Sequence, residues 1–308
     1  MKLIIATRKS QLALWQSEHI KEYLLKNHPH LDIILEGFKT KGDILLDSPL
    51  AKIGGKGLFT KELEESMLRG QAHLAVHSLK DVPSFFPEGL TLAAISKREE
   101  TNDAFLSEYY KDLKALPLGA KVGTTSLRRK MQLLILRPDL NIISLRGNIN
   151  SRLEKLKAKE FDAIILALAG IKRLNLDKQI KFVKAFELDE MIPAASQGAL
   201  GIESIDNNQI LDLLHCINNE NAFIETYIER DFIKTLEGGC QVPIGINAKI
   251  IEEKIEIRAI VGLPDASKIL KEKIIISKQD YKNAGKTLAK EMIKNGARDI
   301  LKEAESMI

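Results

Sequence analysis

Apolar and polar positions alternate in two different rhythms over the first two-thirds of the chain. Short apolar runs at residues 3–6, 31–35, 74–76, 90–95, 141–145 and 163–168 predict strands, with another short one near 121–122. Several are apolar on both faces, the pattern of parallel strands covered by helices on each side. Between them, helical spacing predicts helices over 11–27, 60–69, 126–136 and 149–159. In the first, Leu12, Trp15, Ile20 and Leu24 recur at helical spacing with charges opposite, which assigns Trp15 to the core rather than to a ligand. Alternating βα units imply open α/β sheets, two of them. The C-terminal part reads differently: a helix over 221–235, the turn Gly238-Gly239-Cys240, strands over 244–251, 254–261 and 269–277, and one amphipathic helix over 279–303. Strands in succession flanked by helices predict a smaller α+β module with an antiparallel sheet. Residues 41–57, KGDILLDSPLAKIGGKG, lack periodicity and read as a long connection of the kind that forms lids.

Composition narrows the class. With 44% hydrophobic and 29% charged residues among 308, the chain has the mix of an ordinary globular protein. Its longest apolar run, 163–171, is about half of the ~20 residues a bilayer crossing needs. The apolar patch after Lys2 is shorter than a secretory h-region, so no export is expected. Two cysteines are too few for a disulfide framework or a cysteine-rich zinc site, and a reducing cytoplasm is the expected compartment.

Net charge is only +4, but of twelve arginines six lie between Arg128 and Arg173. Arginine suits bidentate recognition of carboxylate or phosphate, so this concentration points to an anionic ligand, against the plainer alternative of salt-bridged surface helices. In open α/β sheets ligands bind beyond the carboxyl ends of the strands. Those ends supply Thr7, Arg8 and Ser10; His77, Ser78, Lys80 and Asp81; Thr124, Thr125, Ser126, Arg128 and Arg129; Arg146 and, nearly two turns on, Arg152; then Gly170 and Arg173. A ligand with several negative charges, in a cleft at the hinge between two sheets, is the expectation. Asp81, in HSLKDVP, is the one acid among these bases. It reads either as a turn cap before Pro83 or as an ionised carboxylate that stabilises a cationic centre. Cys216, in LLHCI, reads as a small core residue on a helix, whereas Cys240 follows two glycines where backbone freedom suits a reactive thiol.

Other chemistries lack their residues. Lys56 in GGKG has neither the glycine six positions earlier nor the following Ser or Thr of a P-loop, and no GxGxxG follows a strand. His73 and His77 lie on a strand without an HExxH glutamate, so no metal is expected. Aromatics at 5% and no interleaved basic stripe count against nucleic acid.

The segments ATRKSQLALWQ, KGDILLDSPLAKIGGKGLFTKELE, LAVHSLKDVP, VGTTSLRRKMQL, LRGNINSRLEKL, DAIILALAGIKRL, PAASQGALGIE and LEGGCQVPIG, in this order and spacing, identify the chain as resembling the hydroxymethylbilane synthase (porphobilinogen deaminase) family over essentially its full length. The resemblance implies a monomeric cytoplasmic transferase of tetrapyrrole biosynthesis, with no nucleic-acid or membrane partner. It condenses four porphobilinogen molecules head to tail, expels four ammonia and releases linear 1-hydroxymethylbilane. It also implies a dipyrromethane cofactor on a thioether to Cys240, Asp81 as the catalytic carboxylate, cofactor contacts from Lys80, Asp81, Ser126, Arg128, Arg129 and Arg146, and substrate contacts from Arg8, Ser10, Phe59, Arg146, Arg152 and Arg173. The implied fold has two doubly wound domains like those of periplasmic binding proteins, 1–97 with 197–217 and 102–192, and a cofactor-carrying α+β domain, 220–308. Asn102 and Ile205 stand where the family commonly has arginine, near the expected hinge. The competing reading is a non-catalytic two-lobed polyanion-binding protein, which explains the arginines but neither Asp81 among them nor the GGC turn.

Overall fold

The chain divides into two units, Met1–Glu99 with Gly198–Phe223, and Glu100–Gln197 with Ile224–Ile308. The computed structural model describes residues 1–44, 57–83, 85–237 and 242–307. Most of the expected lid stretch and Cys240 lie outside the described residues.

In the first unit, β1 (Lys2–Arg8), β2 (Asp32–Phe38), β3 (Leu74–Ser78), β4 (Leu90–Ile95) and β10 (Leu200–Ile205) form one sheet in the order β2-β1-β3-β10-β4. β1 runs parallel to β2 and β3, while β10 enters antiparallel to β3 and β4. Helix α1 (Gln11–Asn27) buries Ile20 and Leu24 against Leu3, Ile5, Leu74 and Val76 on one face, together with α7 (Asn208–Leu214). On the other face α3 (Lys61–Leu68) packs Leu63 and Met67 on Ala6, Ala75 and Leu90. Apolar burial of this kind contributes ~1.5–3 kcal/mol per large aliphatic side chain. A one-turn helix, α2 (Lys41–Ile44), follows β2.

The second unit holds two sheets. β5 (Asp103–Ser107), β6 (Lys121–Gly123), β7 (Asn141–Ile143), β8 (Ala163–Ala167) and β9 (Phe182–Ala185) take the order β7-β6-β8-β5-β9, with β5 antiparallel to both of its neighbours. α4 (Leu127–Leu136) covers one face through Leu133 on Phe105 and Ile165. α5 (Ile149–Lys157) and α6 (Leu168–Arg173) cover the other through Leu153, Leu156 and Ile171 on Leu106 and Ile164. The smaller antiparallel sheet, β11 (Ile244–Ile251), β12 (Lys254–Gly262) and β13 (Ile269–Ser277), buries one face against α8 (Glu220–Leu236), α9 (Tyr281–Lys294) and α10 (Ala297–Ser306). Two doubly wound α/β sheets plus a smaller α+β module are the expected fold class.

Four local expectations are corrected. The single C-terminal helix over 279–303 is two helices, because Gly296 adopts a left-handed φ of 96° between α9 and α10. The strands β5, β9 and β10 were hidden by acids, lysine and glycine within short segments. The buried stripe of α1 is Ala13, Gln16, Ser17, Ile20 and Leu24, so Trp15 is only half-buried, its ring stacked on His19 with centroids 5.1 Å apart. Cys216 lies on a 3-10 turn, half-buried, its Sγ donating to the Leu213 carbonyl at 3.3 Å; burial pushes its thiol up.

Candidate anion-binding and catalytic site

β1 and β3 run side by side in parallel, so their carboxyl ends share one edge of the first sheet. Ser10 is spent on capping α1, its Oγ accepting from the Ala13 N–H at 3.4 Å. Arg8 ends β1. Its Nε donates to Asp43 Oδ2 at 3.2 Å, a second bond joins Nη2 to Oδ1, and its guanidinium lies 4.3 Å from the centre of the Phe59 ring. Thr40 steadies Asp43 by donating from its Oγ1 at 2.8 Å. Burial pushes the Asp43 carboxyl up, but Arg8 and Thr40 outweigh it and hold the group below its ordinary value.

β3 runs straight into a 3-10 turn, Leu79–Asp81. Leu79 is wholly buried, and its N–H donates to the Ala199 carbonyl at 3.0 Å. Lys80 is half-buried and Asp81 is exposed. Sequence left a turn cap and a counter-charge equally open for Asp81. In the structure its carboxylate takes part in no hydrogen bond or ion pair among the described residues, so no capping bond is made among them.

In the second unit β7, β6 and β8 are parallel neighbours and present one edge in the same way. Ser126 caps α4 by accepting from the Arg129 N–H at 3.4 Å. Arg128 and Arg129, in the first turn of α4, are both buried. Because β5 is antiparallel to β8, it starts where β8 ends, which brings Asp103 to the arginines. Arg128 Nη1 donates to Asp103 Oδ2 at 2.6 Å; Arg129 donates to Oδ1 from Nε at 3.1 Å and from Nη2 at 2.7 Å. Gln197 Nε2 donates to Oδ1 as well, at 3.0 Å. Complete burial pushes the Asp103 carboxyl up, but the two guanidiniums override it and hold the group far below the usual carboxylate range. Arg146 follows β7, Arg152 of α5 donates from Nε to the Gly147 carbonyl at 2.8 Å, and Arg173 ends α6, buried.

Two partners escaped sequence reasoning. Asp103 heads DAFLS, whose five residues are all buried, and an acid beginning a fully apolar run was the available signal. Asp43 looked like one more charge in a polar connection. Of the two positions where arginine was expected, Asn102 donates to the Phe186 carbonyl at 2.8 Å and Ile205 packs, half-buried, at the end of β10. Among the described residues no group of three or more His, Cys, Asp or Glu is arranged to hold a metal ion, and no helix is long and apolar enough to cross a membrane.

The fold and these strand ends define a class: an α/β protein with arginines at the strand ends of its sheets and a carboxylate, Asp81, that has no partner among the described residues. Residues 3–212 match the family model described as "Porphobilinogen deaminase, dipyromethane cofactor binding domain", and residues 223–294 match "Porphobilinogen deaminase, C-terminal domain". Over 308 residues, all of both chains, the sequence is 84% identical to the porphobilinogen deaminase of Campylobacter lari and 73% identical to that of Campylobacter jejuni strain RM1221. It is 64% identical over 306 residues to that of Campylobacter hominis, covering 99% of each chain. The chain belongs to the porphobilinogen deaminase family.

The cofactor of this family's first domain is dipyrromethane, two linked pyrroles that each bear an acetate and a propionate. The donor set fits such a group. Arg128 and Arg129 bring two positive charges to the single carboxylate of Asp103, leaving one in excess in a buried place. Nε and Nη2 of Arg128 have no hydrogen-bond partner among the described residues. A buried guanidinium in that state favours a ligand carboxylate.

Proposed function

We propose that the protein is a hydroxymethylbilane synthase, which joins four porphobilinogen molecules head to tail, expels four ammonia and, by hydrolysis with one water, releases the linear tetrapyrrole. The carboxylate of Asp81, in the turn after β3 and without a partner among the described residues, is the observation that carries this reading. Loss of ammonia leaves a cationic methylene on the pyrrole, and a fixed carboxylate aimed at developing positive charge lowers that barrier. Cys240 would hold dipyrromethane through a thioether, and the bound cofactor would supply a nucleophilic pyrrole carbon. Arg128, Arg129, Arg146, Ser126 and Lys80, with Asp81, hold its carboxylates and pyrrole N–H groups. Arg8, Ser10, Arg146, Arg152 and Arg173 take the carboxylates of arriving units, with Phe59 as a substrate contact beside Arg8; each carboxylate is neutralised by a guanidinium, so the lengthening polyanion stays bound. The division into domains 1–97 with 197–217, 102–192 and 220–308, a monomeric state and a cytoplasmic location belong to the same reading.

Intact-protein mass spectrometry tests it. The purified enzyme is expected to carry an excess of two pyrrole units that maps to the Cys240 peptide, and Cys240→Ser to lack both the excess and turnover. Active enzyme of unmodified mass overturns the proposal.

A further inference from the structure

A second set of titratable groups lies behind the Asp81 turn. His77 of β3 is buried, with Nε2 3.1 Å from Oε2 of Glu203, a wholly buried residue of β10. Among the described residues the other oxygen of Glu203, Oε1, has no hydrogen-bond partner, and neither has Oε1 of Glu64, buried on α3. Pleating places these groups together: Glu203 stands opposite Ala75 and Gly201 opposite His77, so Ala75, His77 and Glu203 share the face that α3 covers. Glu64 and Glu62 face the cluster from α3; β4 adds no ionisable side chain, and Arg8 at the end of β1 is committed to Asp43.

Burial pushes the Glu64 carboxyl up; the Thr60 side chain opposes that shift, and the nearby Glu203 reinforces it. Glu203 holds His77, whose strand carries the turn. On the opposite face of β3, Gln16 Nε2 donates to Ser78 Oγ at 2.9 Å. Gly201 supplies the third restraint, since a Cβ there would come within 2.7 Å of Leu79 Cδ1. The end of β3 is thus gripped on both faces one turn before Asp81. We propose that Glu203 is a positioning residue for Asp81, acting through its hydrogen bond to His77, with Glu64 buried beside the pair. This rests on the reading of Asp81 as the catalytic carboxylate.

The test uses full-length enzyme carrying its primer. Glu203→Gln is expected to load normally by intact mass and to lose at least tenfold in kcat with KM within twofold. His77→Gln should show the same loss, and the double variant no further loss. Glu64→Gln fixes that side chain in its uncharged form, so it should keep kcat and melt higher than wild type at pH 8. The sign follows from linkage: a carboxyl raised in the fold contributes most below its unfolded value, ~4.3, and its contribution falls as pH rises towards the folded value. Wild-type kcat in a folded Glu203→Gln enzyme overturns the proposal. Should Glu203→Gln not fold, the kcat of His77→Gln decides. Asp81→Asn separates the two levels: if it turns over normally, the reading of Asp81 fails; if it is slow while Glu203→Gln is normal, only the positioning role fails.

Discussion

Arg129 closes a fork on Asp103, with Nε at 3.1 Å and Nη2 at 2.7 Å both donating to Oδ1. Its remaining nitrogen, Nη1, donates to the Ile165 carbonyl at 3.0 Å, so all three nitrogens are engaged inside the second unit. The pair lies where an antiparallel strand meets the ends of parallel ones, and it ties the start of α4 to the centre of the sheet. Removing one partner of a buried ion pair leaves an uncompensated charge, at a cost of ~3–5 kcal/mol. Asp103→Asn should therefore lower the unfolding free energy by about that much, measured by urea titration. Because the Asp103 carboxyl is held low, its contribution is complete above the unfolded value, ~3.9, and fades as pH falls below that. The variant should show a shallower acid limb, and a wild-type stability profile would contradict the assignment.

Arg128 and Arg129 are adjacent but not equivalent. Arg128 uses only Nη1, towards Asp103 and the Ile192 carbonyl at 2.8 Å, whereas Arg129 has every nitrogen engaged. Arg128→Leu should purify with a markedly smaller primer-loaded fraction by intact mass. Arg129→Leu should suffer the larger loss of stability. Full loading of Arg128→Leu would assign the primer carboxylate elsewhere.

Arg8 is held by a carboxylate of its own chain, and a substrate carboxylate must compete with it. Asp43→Asn keeps the shape and removes the charge, so the guanidinium becomes more available. A several-fold lower KM for porphobilinogen is expected at low salt, with the difference shrinking as ionic strength rises. An unchanged or higher KM would show that Asp43 orients Arg8 rather than competing for it.

The doubly wound cores were legible because strands such as β3 and β8 are buried on both faces and read as unbroken apolar runs. The arginines were legible because parallel strand ends all point to one edge. Their counter-charge was not. Asp103 reaches Arg128 only through an antiparallel insertion, and strand direction is a long-range property that local periodicity does not encode. β10 failed for a related reason: LGIESI puts Gly, Glu and Ser where a strand pattern wants apolar residues, yet Glu203 is wholly buried beside His77. In both strands a charge that looked solvated belongs to an interior network.

Asp81 gives the sharpest separation of structure from chemistry. Its carboxylate caps no turn and bonds no neighbour among the described residues, while the turn itself is anchored by buried Leu79 and by the Leu79 N–H on Ala199. Asp81→Asn should accordingly leave stability within ~0.5 kcal/mol of wild type, as for a surface change remote from any special feature. Turnover should behave quite differently. Loss of one preorganised electrostatic contact costs ~10²–10³ in rate, and a sole counter-charge to a developing cation should lie at the upper end or beyond. Paired measurements on the same preparation, a thermal melt and single-turnover release of ammonia, check both halves. A melt unchanged with turnover down by that factor is the expected result. A variant that melts much lower would show that the side chain supports the turn after all, and near-normal turnover in a stable variant would remove Asp81 from the chemistry.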